Sequence, residues 1–189
     1  MSRDTANELG RRALEGDEEA FVALVDLYRD RAVNIAYRYL GDRTSAEDLA
    51  QEAFVRFYER RESFDPSHDF SPWFYRILTN LCLDHLRRER YGEKHLTLIS
   101  EDDGPQTESP SENATPAEHL EREDLSARVQ SALRMLPDRQ RMAVVLQHYE
   151  ALSYDQIAEV MGCSRGTVDG LLSRARDALR DRLNDYFQK

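Results

Sequence analysis

Glycine, proline and cysteine are scarce in this sequence, and long apolar runs are missing. Its 189 residues include only 8 glycines, 6 prolines and 2 cysteines. Long segments without glycine or proline favour helices over short strands and turns. Purely apolar runs such as Met142 to Leu146 are far shorter than the ~20 residues that a helix needs to cross a bilayer. These scarcities predict a helical protein without membrane insertion.

The sequence also lacks the patterns of a metal site, a cofactor site or an exported protein. Cys82 and Cys163 form no C-x-x-C pair, and no histidine stands at metal-ligand spacing from either. The simpler interpretation is two reduced thiols in a reducing compartment. Redox sensitivity of Cys163, in a predicted turn, is the alternative to a packing role. No apolar segment follows the first residues, so we expect a cytoplasmic protein without a secretion signal.

Positive charge is in short supply and unevenly distributed. The net charge is −10, from 26 basic and 36 acidic residues. Residues 92–125 hold 2 basic and 10 acidic residues, whereas residues 126–189 hold 10 basic and 8 acidic residues. Because neutralisation of phosphates supplies most non-specific DNA affinity, the isolated chain is expected to bind DNA weakly.

Helical periodicity predicts several helices in the first half of the chain. An apolar stripe in residues 21–39 ends at Gly41. Thr44 and Glu47 form a capping box that predicts the start of the next helix. Ser71-Pro72 has the pattern of an N-cap followed by proline at the first helical position, which predicts a further helix.

The chain changes character between Gly92 and about Asp124. This segment is acidic, rich in serine and proline, and nearly without large apolar residues. Such a composition cannot bury enough surface to offset its ordering entropy. The sequence therefore predicts an all-α protein with two small helical domains, residues 1–91 and 125–189. A flexible acidic linker, residues 92–124, should let the domains move relative to each other.

The second predicted domain contains a helix-turn-helix pattern. Ser153 and Gln156 form a capping box, Gly162 supplies the turn, and Ser164 caps the second helix. The start of that helix would enter the major groove of DNA. Its side chains suited to bases or phosphates are Arg165, Thr167, Ser173, Arg174 and Arg176. A helical hairpin with solvated charges is the alternative, but the agreement of cap, turn and spacing favours DNA binding.

The first predicted domain contains an aromatic and basic cluster and a separate polar helix edge. The cluster comprises Phe64, Phe70, Trp73, Phe74, Tyr75 and Arg76, with Asn80 one turn further on. Such rings can stack unpaired bases, and an asparagine can bind a flipped base. Aromatic residues at helical spacing are more often plain core, so both interpretations stay open. The polar edge, Asp48, Gln51 and Glu52, is suited either to a basic partner helix or to solvent.

In this order, the motifs resemble the sigma-70 family of bacterial RNA polymerase specificity subunits, especially its extracytoplasmic-function (ECF) group. Residues 48–54 resemble the region 2 contact with core polymerase, residues 70–88 the helix that reads the −10 element, and residues 136–176 region 4. The resemblance implies a factor without catalytic chemistry that binds core RNA polymerase and promoter DNA and directs initiation. It also implies a separate anti-sigma factor as a partner.

The resemblance implies a role for three sets of residues. The core-polymerase set is Asp48, Leu49, Gln51, Glu52 and Phe54. The −10 set is Phe64, Trp73, Arg76, Asn80, Arg87 and Arg88. The −35 set is Arg165, Gly166, Thr167, Asp169, Ser173, Arg174 and Arg176. The loop around Phe64, with Asn80, would capture a base flipped from the non-template strand, and the acidic linker would thread through the RNA path of the polymerase.

The recognition helix departs from the family pattern at Asp169-Gly170, where members usually carry a basic residue. Asp169 could alter the −35 preference, since aspartate can accept a hydrogen bond from cytosine N4. Alternatively, it lowers the affinity of this helix for the duplex, so that promoter binding depends more on the −10 contacts.

Two other function classes are compatible with parts of the sequence. A stand-alone helix-turn-helix regulator would account for residues 126–189 but leaves the region 2 pattern unexplained. An enzyme is the weakest alternative, because the histidines are scattered and no glycine-rich phosphate loop is present.

Overall fold

The computed structural model describes residues 3–93 and 116–187, whose regular structure is entirely helical. The helices are α1 (Arg3–Leu14), α2 (Glu18–Leu40), α3 (Arg43–Arg60), α4 (Phe70–Glu93), α5 (Pro116–Arg134), α6 (Asp138–Tyr149), α7 (Tyr154–Met161) and α8 (Arg165–Phe187). A single 3-10 turn, Arg61–Ser63, follows α3. The predicted all-α class is confirmed for these residues. We call α1–α4 the N-terminal bundle and α5–α8 the C-terminal bundle.

The junction between α2 and α3 agrees with the sequence pattern in one respect and differs in another. Gly41 ends α2, as predicted, and adopts the left-handed conformation with φ 86°. The predicted capping box at Thr44 and Glu47 is wrong, because Asp42 caps α3 and accepts a hydrogen bond from the Ser45 amide at 2.6 Å. Asp42 directly follows the chain reversal at Gly41, so the helix begins at Arg43, two positions before the start at Ser45 that a cap at Thr44 would give. Glu47 instead pairs with Arg43 at 2.7 Å.

The start of α4 is stabilised by α1, a helix that the sequence pattern did not reveal. The Phe70 amide donates a hydrogen bond to the side-chain oxygen of Asn7 at 2.9 Å. The predicted N-cap at Ser71 is therefore wrong, and the Ser71 hydroxyl bonds to the Tyr28 hydroxyl at 2.5 Å. Pro72 is tolerated because the first-turn amides of a helix have no intrahelical partner. At Gly10 of α1, a Cβ would lie 2.9 Å from the Phe70 ring, so the two helices pack closely.

Aromatic rings fill the N-terminal bundle. Phe70, Phe74 and Tyr28 are almost fully buried, and the Tyr28 ring lies 5.3 Å from Phe70 and 5.4 Å from Phe74. Phe57 of α3 completes the cluster, 5.2 Å from Phe70. These spacings are typical of edge-on and tilted aromatic packing. Most of the predicted aromatic cluster is therefore core.

The C-terminal bundle contains the predicted helix-turn-helix. Ser153 and Gln156 make both hydrogen bonds of the capping box at the start of α7. Gly162, with φ 58°, ends α7, and the Ser164 hydroxyl accepts a hydrogen bond from the Thr167 amide at 3.2 Å at the start of α8. Ile157, Val168 and Leu172 are fully buried. The predicted motif is confirmed.

The predicted linker is shorter than expected at its C-terminal side. The helix α5 begins at Pro116, so residues 116–124, which were assigned to the linker, are helical. Thr115-Pro116 followed by Glu118 is itself an N-cap, N1-proline and capping-box pattern, which the acidic composition obscured. The rest of the predicted linker, residues 94–115, lies outside the described residues.

The two bundles pack directly against each other. The helix α4 contacts α7, and α2 contacts both α5 and α6. One continuous apolar cluster includes buried residues from both bundles, such as Leu78 of α4 and Leu146 of α6. The two predicted domains are thus in contact in the structure, and their movement relative to each other stays a prediction.

Candidate polymerase-binding and DNA-binding surfaces

The five predicted core-polymerase residues divide into an exposed row and a buried pair on α3. Asp48, Gln51 and Glu52 are exposed. Leu49 and Phe54 are each only 8% exposed, and the Phe54 ring stacks on Phe74 at 4.8 Å. The buried pair can therefore hold α3 in place, while the polar row is exposed to solvent.

A groove beside this row extends the surface in a way that the sequence did not reveal. It has a volume of about 1500 Å³ between α2 and α3. Its apolar lining is Phe21, Val25, Val33, Tyr37, Ala50, Phe54, Val55 and Tyr58, and its polar lining includes Arg29, Asp30, Arg43, Glu47 and Gln51. Val55 and Tyr58 are 51% and 48% exposed. Exposed apolar side chains grouped in this way mark a site for a partner.

The −10 set lies mainly on one exposed part of α4. Arg76, Asn80, Arg87 and Arg88 are exposed, and Arg87 forms an ion pair with Asp84 at 2.7 Å. Asn80 follows Arg76 by one helical turn, so both side chains can contact the same stretch of nucleic acid. The structure therefore brings these predicted residues together on one helix.

The aromatic members of the −10 set are less accessible than predicted. Phe64 is only 4% exposed, and its ring packs on Phe70 at 5.7 Å and on Trp73 at 5.3 Å. Trp73 is half-buried and also contacts Phe57. In this arrangement the Phe64 ring cannot stack a base. It packs against the Trp73 ring instead and helps to hold it in place.

All members of the −35 set are exposed along α8. Arg165 at the start of the helix forms an ion pair with Asp155 of α7 at 2.8 Å. The Arg174 guanidinium lies 3.4 Å from the point where Gly170 would carry a Cβ, so Gly170 leaves room for it. Arg176 donates a hydrogen bond to the Leu172 carbonyl at 3.2 Å. Three basic side chains and Asp169 thus share the surface that would meet duplex DNA.

The described residues contain little that suggests redox or metal chemistry. Among residues 3–93 and 116–187, no group of three or more histidine, cysteine or acidic side chains could hold a metal ion. Burial raises the pKa of the Cys82 thiol to about 12, so this thiol stays protonated. The helices of the same part of the chain include none that is long and apolar enough to cross a membrane.

Together, the helix-turn-helix and the basic surface of α4 define, over the described residues, a class of helical protein with two separate exposed basic surfaces. Residues 24–91 match the family model Sigma-70 region 2, and residues 126–179 match Sigma-70, region 4. The chain is 35% identical to the ECF RNA polymerase sigma factor SigW of Bacillus subtilis, over 93% of this chain and 95% of that protein. It is 30% identical to the ECF RNA polymerase sigma-E factor of Escherichia coli, over 98% and 97% of the two chains. The chain therefore belongs to the sigma-70 family and to its ECF group.

A solved structure shares the whole arrangement. The structure of CnrH in complex with the cytosolic domain of CnrY matches 96% of this chain and 99% of that chain, with a TM-score of 0.72 and 26% sequence identity. The similarity extends over both bundles.

Proposed function

We propose that the chain binds core RNA polymerase and directs promoter recognition and strand melting as an ECF sigma factor, without a catalytic step of its own, in the cytoplasm. The observation that carries this proposal is the separation of three exposed surfaces in one chain. These surfaces are the polar row of α3, the basic part of α4 and the start of α8. A stand-alone regulator would use only α8.

The polymerase contact is assigned to the polar row of α3 and the neighbouring groove. Asp48, Gln51 and Glu52 offer acidic and amide groups for a basic helix, while Val55 and Tyr58 offer apolar surface for its packing. Interfaces that combine a tyrosine-containing apolar centre with a polar rim are typical of specific protein partners. The clamp helices of the largest polymerase subunit are the proposed occupant.

The −10 contact is assigned to α4. Arg76, Arg87 and Arg88 can neutralise phosphates of the melted strand, and the Asn80 amide can pair with the edge of an unstacked base. Trp73 can stack a neighbouring base with the exposed part of its ring. The loop around Phe64 would complete a base pocket only if that ring moved out of the core.

The −35 contact is assigned to α8, where the two explanations for Asp169 remain. Arg165 and Thr167 lie at the N-terminal end of α8, which is the end that would enter the major groove. Arg174 and Arg176 lie further along the same helix. If Asp169 accepts a hydrogen bond from cytosine, it contributes sequence preference. If it only repels phosphates, it lowers affinity for all sequences alike.

A separate anti-sigma factor is the proposed regulatory partner. The solved structure of CnrH contains it together with the cytosolic domain of CnrY, and this chain shares the arrangement of helices of CnrH. The groove between α2 and α3 offers exposed apolar surface that such a polypeptide could cover. Competition between core polymerase and that partner for this groove would keep the factor inactive.

Run-off transcription on a promoter library, with purified core polymerase, tests the proposal. We expect transcripts to start at a fixed distance from a shared two-part element, and only when the chain is present. Asp48→Ala with Gln51→Ala should abolish stimulation, whereas Ser131→Ala, an exposed position on α5, should not. Absence of stimulation, together with tight binding of the chain alone to duplex DNA, would favour the stand-alone regulator.

The same library decides between the two roles of Asp169. With Asp169→Ala, which removes both the acceptor and the charge, a loss of preference at one base pair would support the cytosine contact, because discrimination there is worth about 1–3 kcal/mol. A uniform rise in promoter affinity, without a change of preference, would support repulsion.

A further inference from the structure

The helix α1 lies outside the residues that match Sigma-70 region 2, which are residues 24–91. None of the three predicted sets of binding residues includes a residue of α1. The helix nevertheless contacts α4 and the 3-10 turn that follows α3, as well as α2. It therefore packs on the part of the chain that carries the −10 set, although the sequence predicted no binding role for it.

The Asn7 side chain of α1 holds the start of α4 through two hydrogen bonds. Its oxygen accepts from the Phe70 amide at 2.9 Å, and its nitrogen donates to the Asp69 carboxylate at 3.0 Å. A capping side chain normally accepts from the second or third amide of its own helix. In α4 the third residue is Pro72, which has no amide. Asn7 thus supplies, from another helix, an acceptor for a first-turn amide of α4.

Close packing brings α1 directly onto the loop that precedes α4. A Cβ at Gly10 would lie 2.9 Å from the Phe70 ring and 3.2 Å from the Phe64 ring, so a larger residue would force these rings to shift. Ala6 and Ala13 lie on the same face of α1 and are each only 3% exposed. The small residues of this face let α1 approach the loop closely enough for Asn7 to reach its backbone.

The first turn of α4 leads directly to the side chains assigned to the −10 element. Trp73 follows Phe70 by three residues, and its ring lies 6.0 Å from the Phe70 ring and 5.3 Å from the Phe64 ring. Arg76 and Asn80 continue along the exposed side of the same helix. A shift of the loop or of the first turn would therefore move the ring that is proposed to stack a base.

Other contacts hold the first turn of α4 in the bundle when the Asn7 side chain is shortened. The Ser71 hydroxyl bonds to the Tyr28 hydroxyl of α2 at 2.5 Å. Phe70 and Phe74 are fully buried. Loss of the two Asn7 hydrogen bonds should therefore loosen the loop without unfolding the helices.

We propose that Asn7 is a positioning residue for the −10 surface. It fixes the loop of residues 64–69 and the first turn of α4, so that the exposed side chains of the −10 set meet the melted strand in one arrangement. Contacts that are already in place bind more tightly, because less ordering accompanies binding. The effect on the loop follows from the Asn7 contacts alone, and only its consequence for DNA rests on the proposed function.

The fluorescence of Trp73, the only tryptophan in the chain, reports on this loop without polymerase or DNA. We expect Asn7→Ala to raise the acrylamide quenching constant about twofold, since a loosened loop exposes the half-buried ring more often. Asp17→Ala is the matched control, because the Asp17 carboxylate caps α2 at the Ala20 amide and binds Arg12. It should lower the Tm without changing the quenching. Equal quenching in Asn7→Ala and the parent would overturn the proposal.

An exchange of the two side chains tests the geometry. Asn7→Asp alone sets two carboxylates against each other, so quenching should rise at least as much as in Asn7→Ala. Asn7→Asp combined with Asp69→Asn allows both hydrogen bonds to form again and should restore the quenching of the parent. Asp69→Asn alone keeps an oxygen acceptor for the Asn7 amide and should change little. If the exchange is quenched as strongly as Asn7→Asp, these hydrogen bonds do not hold the loop and the proposal fails.

Binding of DNA by the complex with core polymerase tests the consequence. The probe is a fluorescent single-stranded oligonucleotide with the non-template −10 element that the run-off library defines. Asn7→Ala should weaken its binding about tenfold, and the exchange should recover most of the loss. Affinities for core polymerase and for −35 duplex DNA should not change, because Asn7 lies on neither surface. An equal loss in Asp17→Ala would show general destabilisation and refute the positioning role.

The two measurements separate this proposal from the proposed function. If the parent stimulates transcription and Asn7→Ala binds the oligonucleotide at least as tightly as the parent, the positioning role is refuted while the sigma function stands. If quenching responds as expected but the parent neither stimulates transcription nor binds the oligonucleotide, the hold of Asn7 on the loop is supported. Its role at the −10 element then falls with the proposed function.

Discussion

The two DNA-binding bundles are stabilised by different means. In the N-terminal bundle, large aromatic rings such as Phe57, Phe70 and Phe74 pack on the buried side of α4. The exposed side of the same helix carries Arg76 and Asn80. In the C-terminal bundle, the buried side chains beneath the recognition helix are mainly aliphatic, among them Ile157, Val168 and Leu172. There, helix caps at Ser153 and Ser164 define the turn.

The difference matches the proposed tasks of the two surfaces. A helix that holds melted single-stranded DNA gains from a stiff support, because unstacked bases must be met by side chains in fixed positions. A helix-turn-helix meets a duplex that is already regular, so the geometry of one turn sets its approach. We infer that damage to the aromatic core should impair melting, whereas damage to the caps should impair duplex binding.

The largest expected effect comes from Phe74→Ala. Its ring contacts Tyr28, Phe54 and Phe70 among others, and removal of a buried phenylalanine typically costs about 3–5 kcal/mol. Denaturant unfolding monitored by circular dichroism gives the free energy of unfolding. Leu172→Ala is the matched change in the C-terminal bundle. If Phe74→Ala costs clearly less than Leu172→Ala, the aromatic core is not the stiffer support and the comparison fails.

The sequence predicted the C-terminal bundle better than the N-terminal one. The capping box at Ser153 and the turn at Gly162 are local signals, and local signals do not depend on distant contacts. The start of α4 depends on Asn7, a residue 63 positions away in the chain. No local pattern at Ser71 could reveal that contact.

The candidate sites divide in a similar way. The exposed polar residues of α3, α4 and α8 follow from helical periodicity, which assigns them to solvent-facing positions. The burial of Phe64 does not, because the side-chain direction in a loop is decided by the rings it meets. The closed packing of the two bundles was also beyond reach, since Gln130 and Arg141 bind carbonyls of α2 more than 90 residues away.

An intermediate effect is expected from Ser153→Ala. The Ser153 hydroxyl accepts a hydrogen bond from the Gln156 amide at 3.3 Å, and loss of such a cap costs ~1 kcal/mol. The free energy of unfolding should fall by that amount, and affinity for −35 duplex DNA in the polymerase complex should fall with it. Ser131→Ala, on the exposed side of α5, should leave both unchanged. An equal loss of −10 strand melting would contradict the separate roles of the two bundles.

The smallest expected effect is a pH dependence at the contact between the bundles. Burial raises the pKa of Glu150, although the Tyr75 hydroxyl and Arg31 partly oppose it. Tyr28 and Tyr75 also face this region, and burial raises the pKa of both hydroxyls, so neither titrates in the acidic range. Glu150 therefore binds its proton more tightly in the folded, closed chain than in the unfolded chain.

The sign of the effect follows from this difference in proton binding. The ordinary pKa of a glutamate side chain is 4.5, and the pKa of Glu150 in the folded chain is higher. When the pH rises from 4.5 through that higher pKa, the folded chain gives up a proton that the unfolded chain has already lost. Stability from this group is present at the acidic end and falls across that window. Glu150→Gln removes the titration while keeping an oxygen acceptor for Tyr75. The Tm of the parent minus the Tm of Glu150→Gln should therefore decrease as pH rises from about 4.5. The capping carboxylates Asp17 and Asp42 have lowered pKa values and stabilise the chain more as pH rises, but both chains contain them, so their effect cancels in this difference. A difference that increases with pH would mean that the ion pair with Arg31 outweighs burial.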